Sequence, residues 1–203
     1  MDRWERLPKM EAVEKAVASL NANGIDTFFA EGKDEAKKKI FDLIPKGAEV
    51  MNMTSMTLEA LDVPDEINAS QNYSSVRNKI KSMDKKTQGK EMKMLGAAPD
   101  YAIGSVHAVT QEGHLFIASN TGSQLAAYAY GASHVIFVVG THKIVKNMDE
   151  AIKRIYHHCL PLEDARARKA YGEGSFVSKL LILNREVAKD RIKLIFVNEV
   201  LGF

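Results

Sequence analysis

The chain has 203 residues, 45% of them hydrophobic, and its 28 basic and 26 acidic side chains leave a formal net charge of +2. That length buries a substantial core and suits one compact domain. A near-zero charge gives no reason to invoke nucleic acid or an anionic membrane, and the single cysteine, Cys159, excludes an internal disulfide and any zinc site of paired cysteines.

The opening residues Met1-Asp2-Arg3-Trp4-Glu5 are charged and do not read as a secretory signal. No run approaches the ~18 apolar residues needed to cross a bilayer. The expectation is a cytoplasmic protein without membrane insertion.

Residues 3–22 predict an amphipathic helix, with Met10, Val13, Val17 and Leu20 on one stripe, and Asn23-Gly24 ends it. A strand is expected over 25–30, a helix over 34–44 with Ala36, Ile40 and Ile44 inward, and a second strand over 48–53 after Pro45-Lys46-Gly47. This alternation favours a mainly parallel sheet covered by helices on both faces. Thr54-Ser55-Met56-Thr57 then stands between a strand and a helix. Its hydroxyls can cap the helix, and the same amides would suit a phosphate or carboxylate.

Residues 65–72 read as irregular. Residues 74–95 read as a basic helix interrupted near Gly89, its lysines mostly solvated, with Arg77 the residue most worth testing.

The richest stretch runs from Asp100 to Lys146. Tyr101-Ala102-Ile103 is a strand broken at Gly104-Ser105, and segments 106–110 and 114–118 form a hairpin across Gln111-Glu112-Gly113. Asn120-Thr121-Gly122-Ser123 opens a helix that stops at Gly131. A β-branched strand over 134–139 then runs into Gly140-Thr141-His142-Lys143. Glycines and hydroxyls gather where strands end, the usual ligand position in α/β sheets. Lys143 would pair with an anion as a point charge, and Asn120, Thr121, Gly122 and Ser123 repeat the anion-binding junction seen at Ser55 and Thr57. Glu112 stands at a turn, where an exposed carboxylate is ordinary; turned into a cleft, it would serve as a general base or covalent nucleophile.

Asn147 caps a further helix in capping-box fashion with Glu150, and Pro161 is expected to end it. A short helix over 162–171 follows, then strands over 180–183 and 192–200 joined as a hairpin. His157-His158-Cys159 invites a metal, but adjacent helical positions point about 100° apart, so structural roles are the preferred reading. There is no Gly-x-Gly-x-x-Gly after a strand, no Walker loop and no Gly-x-Ser-x-Gly elbow.

The segments 104–113, Asn120-Thr121-Gly122-Ser123-Gln124-Leu125-Ala126-Ala127 and Val138-Val139-Gly140-Thr141-His142-Lys143-Ile144-Val145 together resemble the LUD-domain (lactate-utilisation) family. Ser55-Met56-Thr57-Leu58 resembles its upstream motif, and the ending Val197-Asn198-Glu199-Val200-Leu201-Gly202-Phe203 is similar to its members. The resemblance covers roughly residues 10–203 and implies one α/β domain over 1–203, of the NagB/RpiA/CoA-transferase-like kind, with the helix of 3–22 packed on it. It implies a part in oxidising lactate to pyruvate beside iron–sulfur partner proteins. Some relatives carry a cysteine cluster where residues 161–178 here have none.

Two readings follow. One is a non-redox subunit that binds a small carboxylate or phosphorylated anion at the strand ends. The other is a CoA-transferase or sugar-phosphate-isomerase type of enzyme using Glu112. A homo-oligomer through the edge of the strand 192–200 is a third.

Overall fold

The structure is a computed structural model that describes residues 2–203. Its centre is a six-stranded, wholly parallel sheet in the order β1, β10, β7, β4, β2, β3. The strands are β1 (Asp26–Ala30), β2 (Glu49–Asn52), β3 (Ser74–Ser75), β4 (Tyr101–Gly104), β7 (His134–Gly140) and β10 (Ile192–Val197). A second sheet pairs β8 (Ile144–Val145), β5 (Ala108–Thr110), β6 (Leu115–Ser119) and β9 (Lys179–Leu183) in that order.

The central strands are apolar on both faces, as burial on both sides requires. In β10, Leu194 and Phe196 enter one core and Ile195 and Val197 the other, following the two-residue pleat. The first core is closed by α1 (Met10–Ala22), through Val13, Ala16 and Leu20, and by the second sheet, through Val109, Leu115 and Ile117. The opposite core is closed by α2 (Lys33–Asp42), α3 (Met56–Glu59) and α4 (Val63–Ala69). The outer face of the second sheet packs Ala108 and Phe116 against Trp4 and against Ala151 of α7 (Met148–Arg154).

Several elements differ from the expectation. Residues 3–22 are a short 3-10 turn, Arg3–Glu5, followed by α1. Residues 65–69 of the stretch expected to be irregular belong to α4, whose Val63 and Ile67 are buried one turn apart and whose first turn holds Pro64, Asp65 and Glu66, residues that suit a helix start. The basic stretch divides into α5 (Val76–Lys81) and α6 (Lys85–Ala97) at Asp84, which caps Lys86 N at 2.9 Å; α6 itself kinks at Gln88, beside Gly89.

Pro161 does not end its helix. A π turn, Ile155–Cys159, links α7 to α8 (Leu160–Tyr171), and Leu160 N donates to Ile155 O in the i to i−5 pattern. Proline just behind this widened turn falls in the first turn of α8, where its missing N–H removes no α-helical bond. The last two strands form no hairpin either: β9 pairs antiparallel with β6, whereas β10 lies between β1 and β7 in the main sheet. The strand 192–200 therefore offers no free edge to a second copy.

No helix among the described residues is long and apolar enough to cross a membrane.

Candidate functional site

The parallel strands all deliver their carboxyl ends to one side of the main sheet. Thr54-Ser55-Met56-Thr57 follows β2, Ser105-Val106-His107 follows β4, and Thr141-His142-Lys143 follows β7. These segments floor a cleft of about 710 Å3, walled by the end of β6 with the turn after it, and by α8 with the loop that leaves it.

Lys143 is the centre of the floor. Its side chain is fully buried, and Nζ lies within hydrogen-bonding distance of four acceptors that share its hydrogens: Thr57 Oγ1 at 2.9 Å, Ser105 Oγ at 3.2 Å, Val106 O at 3.2 Å and Phe203 O at 3.0 Å. Burial, and then the Arg154 guanidinium, bring its pKa down to about 7. Arg154 is also fully buried: Nη1 donates to His107 O at 2.7 Å and to Cys159 Sγ at 2.8 Å, while Nε and Nη2 have no partner. Neither cation makes an ion pair among the described residues. The floor thus carries positive charge that no Asp or Glu side chain pairs with, in surroundings that screen charge poorly.

His107 lines the same cleft. Its Nδ1 accepts from Ala118 N at 3.1 Å, which fixes the tautomer with hydrogen on Nε2. Burial, with Lys143 and Arg154 nearby, holds its pKa at about 3, so the ring stays neutral and acts as a hydrogen-bond donor. Burial likewise pushes the Cys159 thiol up, against the opposing pull of Arg154. Tyr128, on a second π turn, Ala127–Gly131, also reaches the cleft. A Cβ on Gly104 would overlap its phenol, so glycine at the end of β4 makes the room.

Of the residues expected from sequence, Ser55, Thr57, Asn120, Thr121, Ser123 and Lys143 all line this cleft. Ser55 Oγ caps Leu58 N at 3.4 Å, as a capping residue should. The helices after both hydroxyl junctions are short, four residues in α3 and seven over 125–131, so the charge that acts on an anion here comes from Lys143. Gly122 shapes the second junction: with φ +84 it bends the turn so that its N–H donates to Ser119 Oγ at 2.9 Å.

Glu112 stands apart from the cleft. The turn carrying it is tied to the end of α1, where Asn23 Nδ2 donates to Glu112 O at 3.1 Å and Ser19 Oγ to Gln111 O at 2.9 Å. Asn23 directly precedes β1, so this turn lies at the amino ends of the parallel strands, opposite the cleft. The carboxylate itself is 55% exposed, with only His114 Nδ1 near, at 3.8 Å. Of the trio His157-His158-Cys159, His158 Nδ1 meets Asp2 Oδ2 at 2.8 Å while Cys159 meets Arg154, so the two side chains diverge.

Sequence reasoning missed Ser105, His107, Tyr128 and Arg154. Ser105 and His107 follow a strand end just as Ser55 and Lys143 do, and the same junction rule finds them. Arg154 shares the buried face of α7 with Ala151, a cation on an apolar stripe that itself marks a special environment. Arg77 grips the end of β2, with Nε and Nη2 on Asn52 O at 3.0 and 2.7 Å. A second cavity of about 390 Å3 adjoins it, lined by Glu59, Asp62 and Asp65. Arg77 is there committed to the backbone, so the larger cleft is the better candidate.

The family profile of the LUD domain matches residues 13–178. Among solved structures, a DUF162 family protein from Deinococcus radiodurans superposes with a TM-score of 0.60 at 13% identity, over 95% of this chain and 100% of that one. Ribose 5-phosphate isomerase from Plasmodium falciparum gives 0.36 at 13% identity, over 57% and 52% of the two chains. The beta subunit of eIF2B from Chaetomium thermophilum gives 0.38 at 19%, over 71% and 46%. No curated protein matches the chain. With its LUD profile spanning most of its length, the chain belongs to the LUD domain family.

Proposed function

We propose that the cleft binds a small anion, a carboxylate or a phosphorylated compound, above Lys143, and that the protein serves lactate utilisation as a non-redox, ligand-binding subunit beside iron–sulfur partners. The observation that carries the first part is buried Lys143 in the lining of an open cleft, with buried Arg154 behind it on His107 O and Cys159 Sγ, and no Asp or Glu side chain paired with either. An anion entering there meets positive charge whose desolvation has already occurred on folding. Hydroxyls of Ser55, Ser105, Thr121 and Ser123 line its path.

The family name supports the place in lactate metabolism. One cysteine does not hold an iron–sulfur cluster, which takes about four thiolates, so electron transfer is assigned to the partners. A CoA-transferase or isomerase chemistry resting on Glu112 has no geometric support, because that carboxylate lies at the far end of the sheet.

Calorimetric titration of the purified chain with L-lactate, pyruvate and inorganic phosphate tests the reading. At least one should bind, and Lys143→Met should abolish the heat. Binding of none of them, or equal binding by Lys143→Met, would overturn it. Should that variant fail to fold, Ser105→Ala and Ser123→Ala carry the same test, with weakened binding expected.

A further inference from the structure

The size of the cleft is out of proportion to a three-carbon acid. Such an acid fills on the order of 100 Å3, a few water volumes, against about 710 Å3 here. Clefts of roughly 300–1,000 Å3 commonly enclose ligands of drug-like size.

The lining changes character along its length. The floor is cationic and hydrogen-bond donating, through Lys143 and His107. The wall offers side-chain hydroxyls and an amide, from Ser119 to Ser123. The rim is aromatic: Tyr171 and Phe176 are 68% and 66% exposed although both border the cleft.

These rings belong to an ordered frame. Glu163 grips the Arg166 guanidinium through two bonds of 2.7 Å, and that guanidinium stands 5.5 Å from the centre of the Tyr171 ring. Gly172, at φ 78, ends α8 directly after Tyr171. Ser175 N donates to Asp164 Oδ1 at 2.9 Å, pinning the backbone just before Phe176. Large aromatic side chains left in water on a pinned backbone are a feature of binding surfaces. Lys85, at the start of α6, is with Lys143 one of two cations in the cleft lining that make no ion pair among the described residues, Arg166 being held by Glu163.

We infer that this cleft takes a nucleoside phosphate, or a cofactor that contains one, with its base against Tyr171 and Phe176 and its anionic end toward Lys143. The inference rests on the anion reading above and names the ligand class for it. A planar ring, a hydroxyl-bearing sugar and an acidic group match the rim, wall and floor in that order. Side chains do the recognition, in place of the glycine-rich loop that the sequence lacks.

The test is titration of the full chain with AMP, ATP and NAD, beside adenosine, ribose 5-phosphate and L-lactate. A nucleotide should bind more tightly than either adenosine or ribose 5-phosphate. Tyr171→Ala and Phe176→Ala, both at exposed positions, should each weaken it about tenfold, the effect of losing one stacked ring, and should leave L-lactate unaffected. Nucleotide affinity unchanged in both variants, or matched by ribose 5-phosphate, would overturn the inference. Lys143-dependent binding of lactate without any nucleotide binding defeats this inference and keeps the anion reading; no binding by any compound defeats both.

Discussion

Lys143 Nζ lies 2.9 Å from Thr57 Oγ1 across 86 positions of sequence, and Thr57 gives its own hydrogen to Leu201 O at 3.0 Å. A hydroxyl has one hydrogen to donate, so Thr57 must accept from the lysine. The contact joins the ends of β2 and β7 to the C-terminal segment. Thr57→Val keeps the volume and removes the acceptor, and is expected to cost ~1–3 kcal/mol. Lys143→Met should cost less in that background than alone, since the two share one interaction. A double-mutant cycle by urea unfolding measures the coupling, and strict additivity would contradict it.

The lowered pKa of Lys143 makes stability depend on pH. The folded protein releases this proton near 7 and the unfolded chain near 10.5, so between those values the unfolded chain binds more protons. Stability should therefore rise from pH 7 to 9, the penalty for a buried ammonium being complete below pH 7. Above 9 the raised thiol of Cys159 and phenol of Tyr128 act in the opposite sense. Unfolding free energies measured at pH 7, 8 and 9 should show a slope that Lys143→Met reduces.

On the acid side two histidines govern. Burial, with the Lys143 and Arg154 charges nearby, holds both His107 and His142 at about 3. As pH falls from 6.5 toward 3, the unfolded chain gains protons that the folded chain refuses, so stability is lost across that window. The slope is at most about 1.4 kcal/mol per pH unit for each histidine. His142→Leu should flatten it by up to half. An unaltered pH profile in that variant would show that His142 does not drive the loss.

Gly104 tests how the floor is shaped. A Cβ there would collide with the phenol of Tyr128, a ring that also packs edge-on against Phe137 with centroids 4.8 Å apart. Gly104→Ala is expected to destabilise by ~1–3 kcal/mol and to weaken ligand binding in the cleft. Full stability in the variant would mean that Tyr128 has room to move.

Much of this protein was legible in its residues because the relevant forces are local. Apolar spacing placed α1 and α2, caps marked Ser55 and Asn147, and the turn 111–113 announced an antiparallel pair. The β-branched run of 134–139 became a central strand. Where reading failed, a distant partner decided the outcome. Pro161 remains helical because a π turn precedes it, and β9 and β10, close in sequence, are claimed by different sheets.

The candidate site divides in the same way. Sequence by itself determined which junctions carry hydroxyls and a lysine, since strand ends and turns follow from neighbours in the chain. Only the tertiary structure decided that Ser55, Thr57, Ser123 and Lys143 share one cleft, that Glu112 faces away from it, and that His107 joins its floor with Arg154 bonded behind it. The reason is physical. Parallel pairing gathers carboxyl ends on one side of a sheet whatever their separation in sequence, and burial sets the charge and tautomer of the groups collected there.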